Sequence, residues 1–215
     1  MAVDGIVLFA KTSGQTSFSS LYTIKRALNI KKVGHTGTLD SFADGLLVVC
    51  TGCATHLVKY ITDFDKEYDA IIQFGQETDT LDPTGKVVQT SDLPTLKDLN
   101  FAVKKWLGEN QQIPPKYSAI HVDGKRLSDL SREGKSVEIP KRKITVFNSA
   151  IIECRATDKS LCAKDEDKVL YAHIHFSVSK GTYIRSLARD IAYDCFSCAH
   201  LVALRRTRVG NFYLK

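Results

Sequence analysis

Between Lys66 and Phe74 the chain alternates side to side, placing Tyr68, Ala70, Ile72 and Phe74 on one face of a strand. A strand with one buried face obliges the rest of the chain to supply partner strands and a cover. Further strand-like segments lie at 6–9, 46–50, 144–154, 169–179 and 208–213. Helical spacing starts near Thr16 and Ser17, either of which can cap, with Phe18, Leu21, Ile24 and Leu28 on one face. It recurs at 56–61 and at 94–107, where Leu96, Leu99, Val103 and Trp106 form the apolar side. The clearest helix aligns Ile184, Leu187, Ala188, Ile191, Ala192 and Cys195, with Arg185, Arg189 and Asp190 opposite. Strands outnumber helices and no βαβ rhythm links them. The expected class is α+β, a mixed and mostly antiparallel sheet flanked by helices. No linker, repeat or second apolar unit interrupts 1–215, which reads as one domain. The charged stretch 124–143, short of large apolar residues, is expected to project as a lobe, and 158–168 suits a hairpin turn.

One polar loop stands out, running from Gly34 through His35-Thr36-Gly37-Thr38-Leu39-Asp40-Ser41-Phe42-Ala43-Asp44 to Gly45. Glycines at 34, 37 and 45 allow close backbone approach, and between them sit an imidazole, hydroxyls and two carboxylates. Such a loop is costly to order and offers little to a core, which favours binding or catalysis. Pattern alone stops at a cleft with a carboxylate. Asp40 and Asp44 are thin support for Mg²⁺, which wants several converging oxygens. No phosphate-binding glycine loop, dinucleotide fingerprint or H-E-x-x-H motif is present.

The chain carries a net charge of +6, and its basic residues cluster at Lys31-Lys32, Lys104-Lys105, Lys141-Arg142-Lys143 and Arg205-Arg206 with Arg208. Adjacent cations concentrate polyanions, and the last cluster is read as a phosphate contact. Cys50/Cys53 and Cys195/Cys198 are each spaced like half of a zinc ribbon, but more than 140 residues separate the pairs. The first lies in an apolar run, so neither structural zinc nor disulfides are expected. No apolar run approaches the ~20 residues of a membrane span, and the N-terminus lacks a signal peptide's basic start. A cytoplasmic monomer is the expectation.

The segment Gly34-His35-Thr36-Gly37-Thr38-Leu39-Asp40, with Ala43-x-Gly45-Leu46-Leu47, resembles the signature of the TruB family of tRNA pseudouridine synthases. Four more stretches resemble that family in the same order: Lys66-Glu67-Tyr68, Pro115-Lys116-Tyr117-Ser118-Ala119, the run from Ser179-Lys180-Gly181 to Arg185, and the run from Ala199-His200-Leu201 to Thr207. Two departures fall in the loop. Ser41-Phe42 replaces the usual Pro-Leu, which is expected to loosen the turn at Asp40, and Asp44 replaces a usual Thr. The chain stops at Lys215, before the PUA domain that many members carry.

The resemblance implies the pseudouridine synthase fold and isomerisation of uridine at position 55 of the tRNA T-loop, without a cofactor. By that resemblance Asp40 is the nucleophile, attacking either ribose C1′ or uracil C6. Arg185 aims Asp40 and lowers its pKa, and Tyr68 stacks on the base near C5. His35, Lys11, Lys180, Leu204, Arg205 and Arg206 are implied in substrate binding, and the lobe at 124–143 in clamping the T-loop. A catalytically silent RNA-binding module, or a zinc-containing nucleic-acid binder, would keep the basic surface without needing Asp40.

Overall fold

The computed structural model describes residues 4–118, 120–122, 124–133, 137–158 and 168–214. The chain opens with β1 (Gly5–Lys11), α1 (Ser17–Leu28), β2 (Val33–His35) and β3 (Asp44–Thr51). A 3-10 turn at Gly52–Leu57 enters the short α2 (Val58–Thr62), and β4 (Lys66–Phe74) follows. Next come the hairpin of β5 (Gln76–Thr78) and β6 (Val87–Thr90), then α3 (Leu96–Lys105) and β7 (Gly108–Gln112). The small elements β8 (His121–Val122), β9 (Lys125–Arg126) and α4 (Leu127–Arg132) precede the long hairpin β10 (Arg142–Asp158) and β11 (Lys168–Val178). The chain closes with α5 (Ile184–Asp194), β12 (Ala199–Val209) and β13 (Phe212–Tyr213).

The main sheet runs β1-β3-β12-β4-β11-β10-β7, with β2 added to β3 and β13 to β12. Only β12 with β3 is parallel among the described pairs, so the sheet is mixed and mostly antiparallel, as expected of an α+β chain. The alternation in β4 does what its period predicts. Tyr68, Ala70, Ile72 and Phe74 are buried in one core with Ile174 and Phe176 of β11, Leu201 and Leu204 of β12, and Leu187 and Ile191 of α5. Burying a side chain of this size contributes roughly 1.5–3 kcal/mol before entropy is counted, so this layer anchors the molecule.

Three expectations need correction. The strand expected at 208–213 is split between the end of β12, an eleven-residue strand seated between β3 and β4, and the two-residue β13 that folds back on it. Register shifts at Leu201/Ala203 and Arg206/Arg208 break its alternation, and three arginines disguise it as a charged tail. In α1, Thr16 caps by accepting from the Ser19 N–H at 3.0 Å, but the buried stripe is Ser17, Ser20, Leu21 and Ile24. Phe18 is left outside. Similarly, α3 buries Leu99, Ala102 and Val103 while Leu96 is exposed.

The stretch at 124–143 is less purely a surface lobe than its charge suggests. Leu127 and Leu130 of α4 are buried, and the Leu127 N–H donates to the Ile120 carbonyl at 2.7 Å. Residues 134–136 of that stretch, and 159–167 of the expected hairpin turn, lie outside the described residues.

Candidate active site

Asp40 sits in the crossing between β2 and β3. The base of that loop is closed by Thr36, whose N–H and Oγ1 both donate to the Val48 carbonyl, at 3.0 and 3.2 Å. Leu39 and Ala43 drop into the main core on either side of Asp40. The loop therefore does contribute to packing, contrary to the reading of its composition. Three side chains then gather its polar backbone. Ser17 of α1 donates to the Leu39 carbonyl at 2.9 Å and accepts from the Leu39 N–H at 2.8 Å. The Lys11 ammonium shares its three N–H donors among the carbonyls of Ala43 (2.6 Å), Gln15 (2.7 Å), Thr12 (3.1 Å) and Ser41 (3.4 Å). The Arg206 guanidinium donates to those of Leu46 (2.8 Å), Gly37 (3.2 Å) and Thr38 (3.4 Å).

Gly45 ends the loop at φ +104°, and a Cβ there would lie 2.3 Å from the Arg206 carbonyl oxygen. Only glycine lets β3 start this close to β12. The loop is thus braced from three elements without a proline after Asp40. Lys11 and Arg206 are both buried and serve as internal cations of the loop, and Arg206 also lines the Asp40 cavity. Replacing Lys11 by Met leaves several carbonyls without a donor, and we expect a loss of about 1–3 kcal/mol, read from urea unfolding.

The second half of the site comes from α5. Arg185, on the helix's polar face as expected, has a side chain only 5% exposed because it turns into the Asp40 cavity, while Arg189 and Asp190 of the same face line a different depression. Its Nε lies 2.9 Å from Asp40 Oδ2, a close ion contact whose N–H is not aligned as a hydrogen bond. Nη2 donates to Asp40 Oδ1 at 3.3 Å and to the Tyr117 carbonyl at 3.0 Å. Nη1 donates to the Thr80 carbonyl at 2.9 Å and to Asp82 Oδ2 at 3.3 Å. Asp82 was not singled out in the sequence, where it lies in a run of turn formers. It is buried, and its Oδ1 accepts from Thr80 Oγ1 at 2.7 Å and from the Thr84 N–H at 3.0 Å. The Asp82-Pro83-Thr84-Gly85 turn was its one available signal.

Asp40 itself keeps 35% of its side chain exposed, toward a cavity of about 310 Å³. Burial raises its pKa above the ordinary carboxylate value, with Asp82's charge adding to the rise, while Arg185 and then Lys11 oppose it. Arg185 therefore contacts both Asp40 oxygens and offsets part of the carboxylate's desolvation, but does not bring the pKa below normal. The expected lowering is corrected on that point.

Tyr68 and Leu204 line the same cavity, on adjacent strands β4 and β12, as does Lys66. Burial, followed by the charge of Arg206, lowers the Lys66 ammonium to about 8. Its Nζ donates to the carbonyls of Thr62 and Phe64, fixing the end of α2 beside the cavity. Two larger depressions, of about 840 and 910 Å³, do not include Asp40. The second carries Arg142, Lys143 and Lys180 and shares Thr62 and Gly181 with the Asp40 cavity.

Of the residues expected in a site, the cavity brings together Asp40, Tyr68, Arg185, Leu204 and Arg206. Lys180 is exposed and paired with Asp63 at 2.8 Å. Arg205 is exposed and grips Asp44 through Nε at 2.7 Å and Nη2 at 3.0 Å. His35, on β2, is half-buried, and burial followed by the charge of Arg206 lowers its pKa, which favours the neutral imidazole. Both Cys195 and Cys198 are buried, and no metal-holding group of His, Cys, Asp or Glu occurs among the described residues.

A family sequence model described as TruB family pseudouridylate synthase (N terminal domain) matches residues 25–184. The tRNA pseudouridine synthase B of Treponema denticola is 49% identical over 98% of this chain, which spans 61% of that protein's length. That of Borreliella burgdorferi is 45% identical over 99% of this chain and 72% of its own. Among solved structures, a chain of a Cbf5-Nop10-Gar1 complex superposes with a TM-score of 0.69 at 28% identity, over 98% of this chain and 50% of that one. A chain of an H/ACA RNP bound to a substrate RNA containing 2′-deoxyuridine does so with a TM-score of 0.66 at 26% identity, covering 49% of that chain. With the Asp40 loop and most of the sheet inside the matched region, the chain belongs to the TruB family of pseudouridylate synthases.

Proposed function

We propose that this chain isomerises uridine to pseudouridine in tRNA, at position 55 of the T-loop, with Asp40 as nucleophile. The observation that carries the proposal is the arrangement of Asp40: one carboxylate open to a cavity, clasped by a buried arginine, on a loop braced from three elements. A nucleophile held this way enters the reaction already oriented. The reaction is redox-neutral and conserves composition. The N1–C1′ bond breaks, the base rotates, a C5–C1′ bond forms, C5 loses its proton and N1 gains one. Asp40 either displaces N1 at C1′ and is itself displaced when C5 bonds to C1′, or adds to C6 before the N1–C1′ bond breaks and is eliminated once C5 has bonded to C1′; in both cases it leaves as carboxylate. Tyr68 and Leu204 supply the walls against which the base turns. A target inside such a cavity must first leave its stack, which suits a loop nucleotide.

The direct test is to incubate purified protein with unmodified tRNA and no cofactor, then map pseudouridine. Product at position 55 supports the proposal, and none at saturating enzyme removes it. The alternative of a silent RNA binder is separated by the Asp40 variant discussed below.

Asp40 must be ionised to attack, and its pKa is raised in the fold. Turnover is therefore expected to decline as pH falls through a value above the usual ~3.9 of an aspartate. The sign for stability is opposite to that of a carboxylate whose pKa is lowered by folding. The folded state holds this proton more tightly than the unfolded state, so Asp40's contribution to stability falls as pH rises through its raised pKa. A kcat profile on the acid side, compared with tRNA binding at each pH, checks the first statement.

A further inference from the structure

The exposed face of α1 takes no part in the packing or chemistry described above. Because the buried stripe is Ser17, Ser20, Leu21 and Ile24, Phe18 is 70% exposed and Tyr22 63% exposed. These two rings lie one turn apart on the same side of the helix. The Lys25 ammonium stands 5.9 Å from the centre of the Tyr22 ring, and Arg26, Lys31 and Lys32 are exposed nearby in sequence. From Gly5 to Leu39 there are five basic residues and no carboxylate, so this segment holds five of the chain's six net positive charges. Lys11 is enclosed in the Asp40 loop, leaving four around this face.

The face is also tied to the site. Ser17 in the first turn of α1 holds Leu39, and the Gly14 N–H donates to the Ser41 carbonyl at 2.8 Å. Phe18 therefore keeps a set distance from Asp40. Exposed aromatic rings beside cations, with no acid among them, are the elements that hold unpaired nucleotides: rings stack on bases and ammonium or guanidinium groups meet phosphates. A second copy of the chain would bring like charges together, which opposes self-association here.

We propose that this face of α1 is a second RNA-binding surface, outside the Asp40 cavity. An unpaired base of the tRNA other than the target stacks on Phe18 and Tyr22, and its flanking phosphates lie against Lys25, Arg26, Lys31 and Lys32. The inference rests on the reading of the Asp40 cavity as a tRNA-modifying site.

The test uses full-length tRNA and filter binding over a range of KCl concentrations. The rings are exposed, so Phe18→Ser with Tyr22→Ser should fold, as thermal melting of the variant checks. Expected is an affinity loss of about 10-fold, appearing in KM more than in kcat, with the salt dependence nearly unchanged. Replacing Lys25, Arg26, Lys31 and Lys32 with Gln should lessen the slope of log K against log salt by about 2–3. In a separate variant, Tyr22→Trp should retain affinity and lose fluorescence when tRNA is added. If both sets of substitutions leave tRNA affinity within twofold of the parent while the parent makes pseudouridine, the surface is not for RNA and serves a protein or a second copy. Failure of the parent to bind or modify tRNA would instead remove the functional reading, and this inference with it.

Discussion

Asp40→Asn is expected to abolish pseudouridine formation while tRNA binding stays within a few-fold of the parent chain. The amide keeps the shape of the carboxylate but is a poor nucleophile, and losses for a missing nucleophile run to about 10⁴-fold or more in turnover. The fold should tolerate the change well. Asp40's raised pKa means the site already disfavours the charged form, and the amide resembles the neutral one. Arg185 keeps Asp82, Thr80 and Tyr117 as partners when Asp40 is neutral. The variant's melting temperature at pH 7 should accordingly match or exceed that of the parent. Single-turnover assays at saturating tRNA, with melting curves of the same preparations, read both effects. Appreciable turnover by the pure variant would mean that another group carries the chemistry.

Arg185→Lys is the second large effect, and it should be far from conservative. The guanidinium serves four partners at once: Asp40, Asp82 and the carbonyls of Thr80 and Tyr117. A lysine ammonium has three donors on a single point and no planar fork, so at least one buried acceptor goes without. We expect kcat to fall by roughly 10²-fold or more, because misplacing the nucleophile costs rate more than binding. Stability should drop as well, since Asp82 is buried and losing a well-placed partner from a buried pair costs up to about 3–5 kcal/mol. A phosphate-binding arginine would behave otherwise, with lysine largely substituting and the damage appearing as raised KM. Kinetics across tRNA concentrations, paired with urea unfolding, separate the two. Near-normal kcat with raised KM would refute the partnership with Asp40.

The fate of the arginines marks the boundary between what local pattern carries and what it cannot. Arg205, Arg206 and Arg208 form one basic cluster in the sequence, yet the fold gives each a different occupation. Arg205 pairs with Asp44 at the surface, Arg206 is enclosed against the carbonyls of the Asp40 loop, and Arg208 meets Glu67 at 2.8 Å. Each partner lies more than 130 residues away along the chain. No window of sequence contains that information.

Periodicity determined much of the frame. β4 and α5 follow their apolar spacing closely because each presents one continuous stripe to a single core, and a stripe is a local property. The Asp40 loop is legible as a candidate site from its glycines and polar residues, and the family from five ordered motifs. Tertiary structure alone decided the rest. It seated β12 in the middle of the sheet, since two register shifts erase the alternation a strand normally shows. It enclosed Arg185 of α5 at the Asp40 cavity and left Phe18 in solvent, because which face is buried depends on what packs there. It placed Asp82 opposite Asp40 on one guanidinium, a contact across 103 residues. The physical reason is common to these cases: a lone polar or aromatic residue can be solvated, paired or enclosed, and only the neighbours that the fold delivers select among the three.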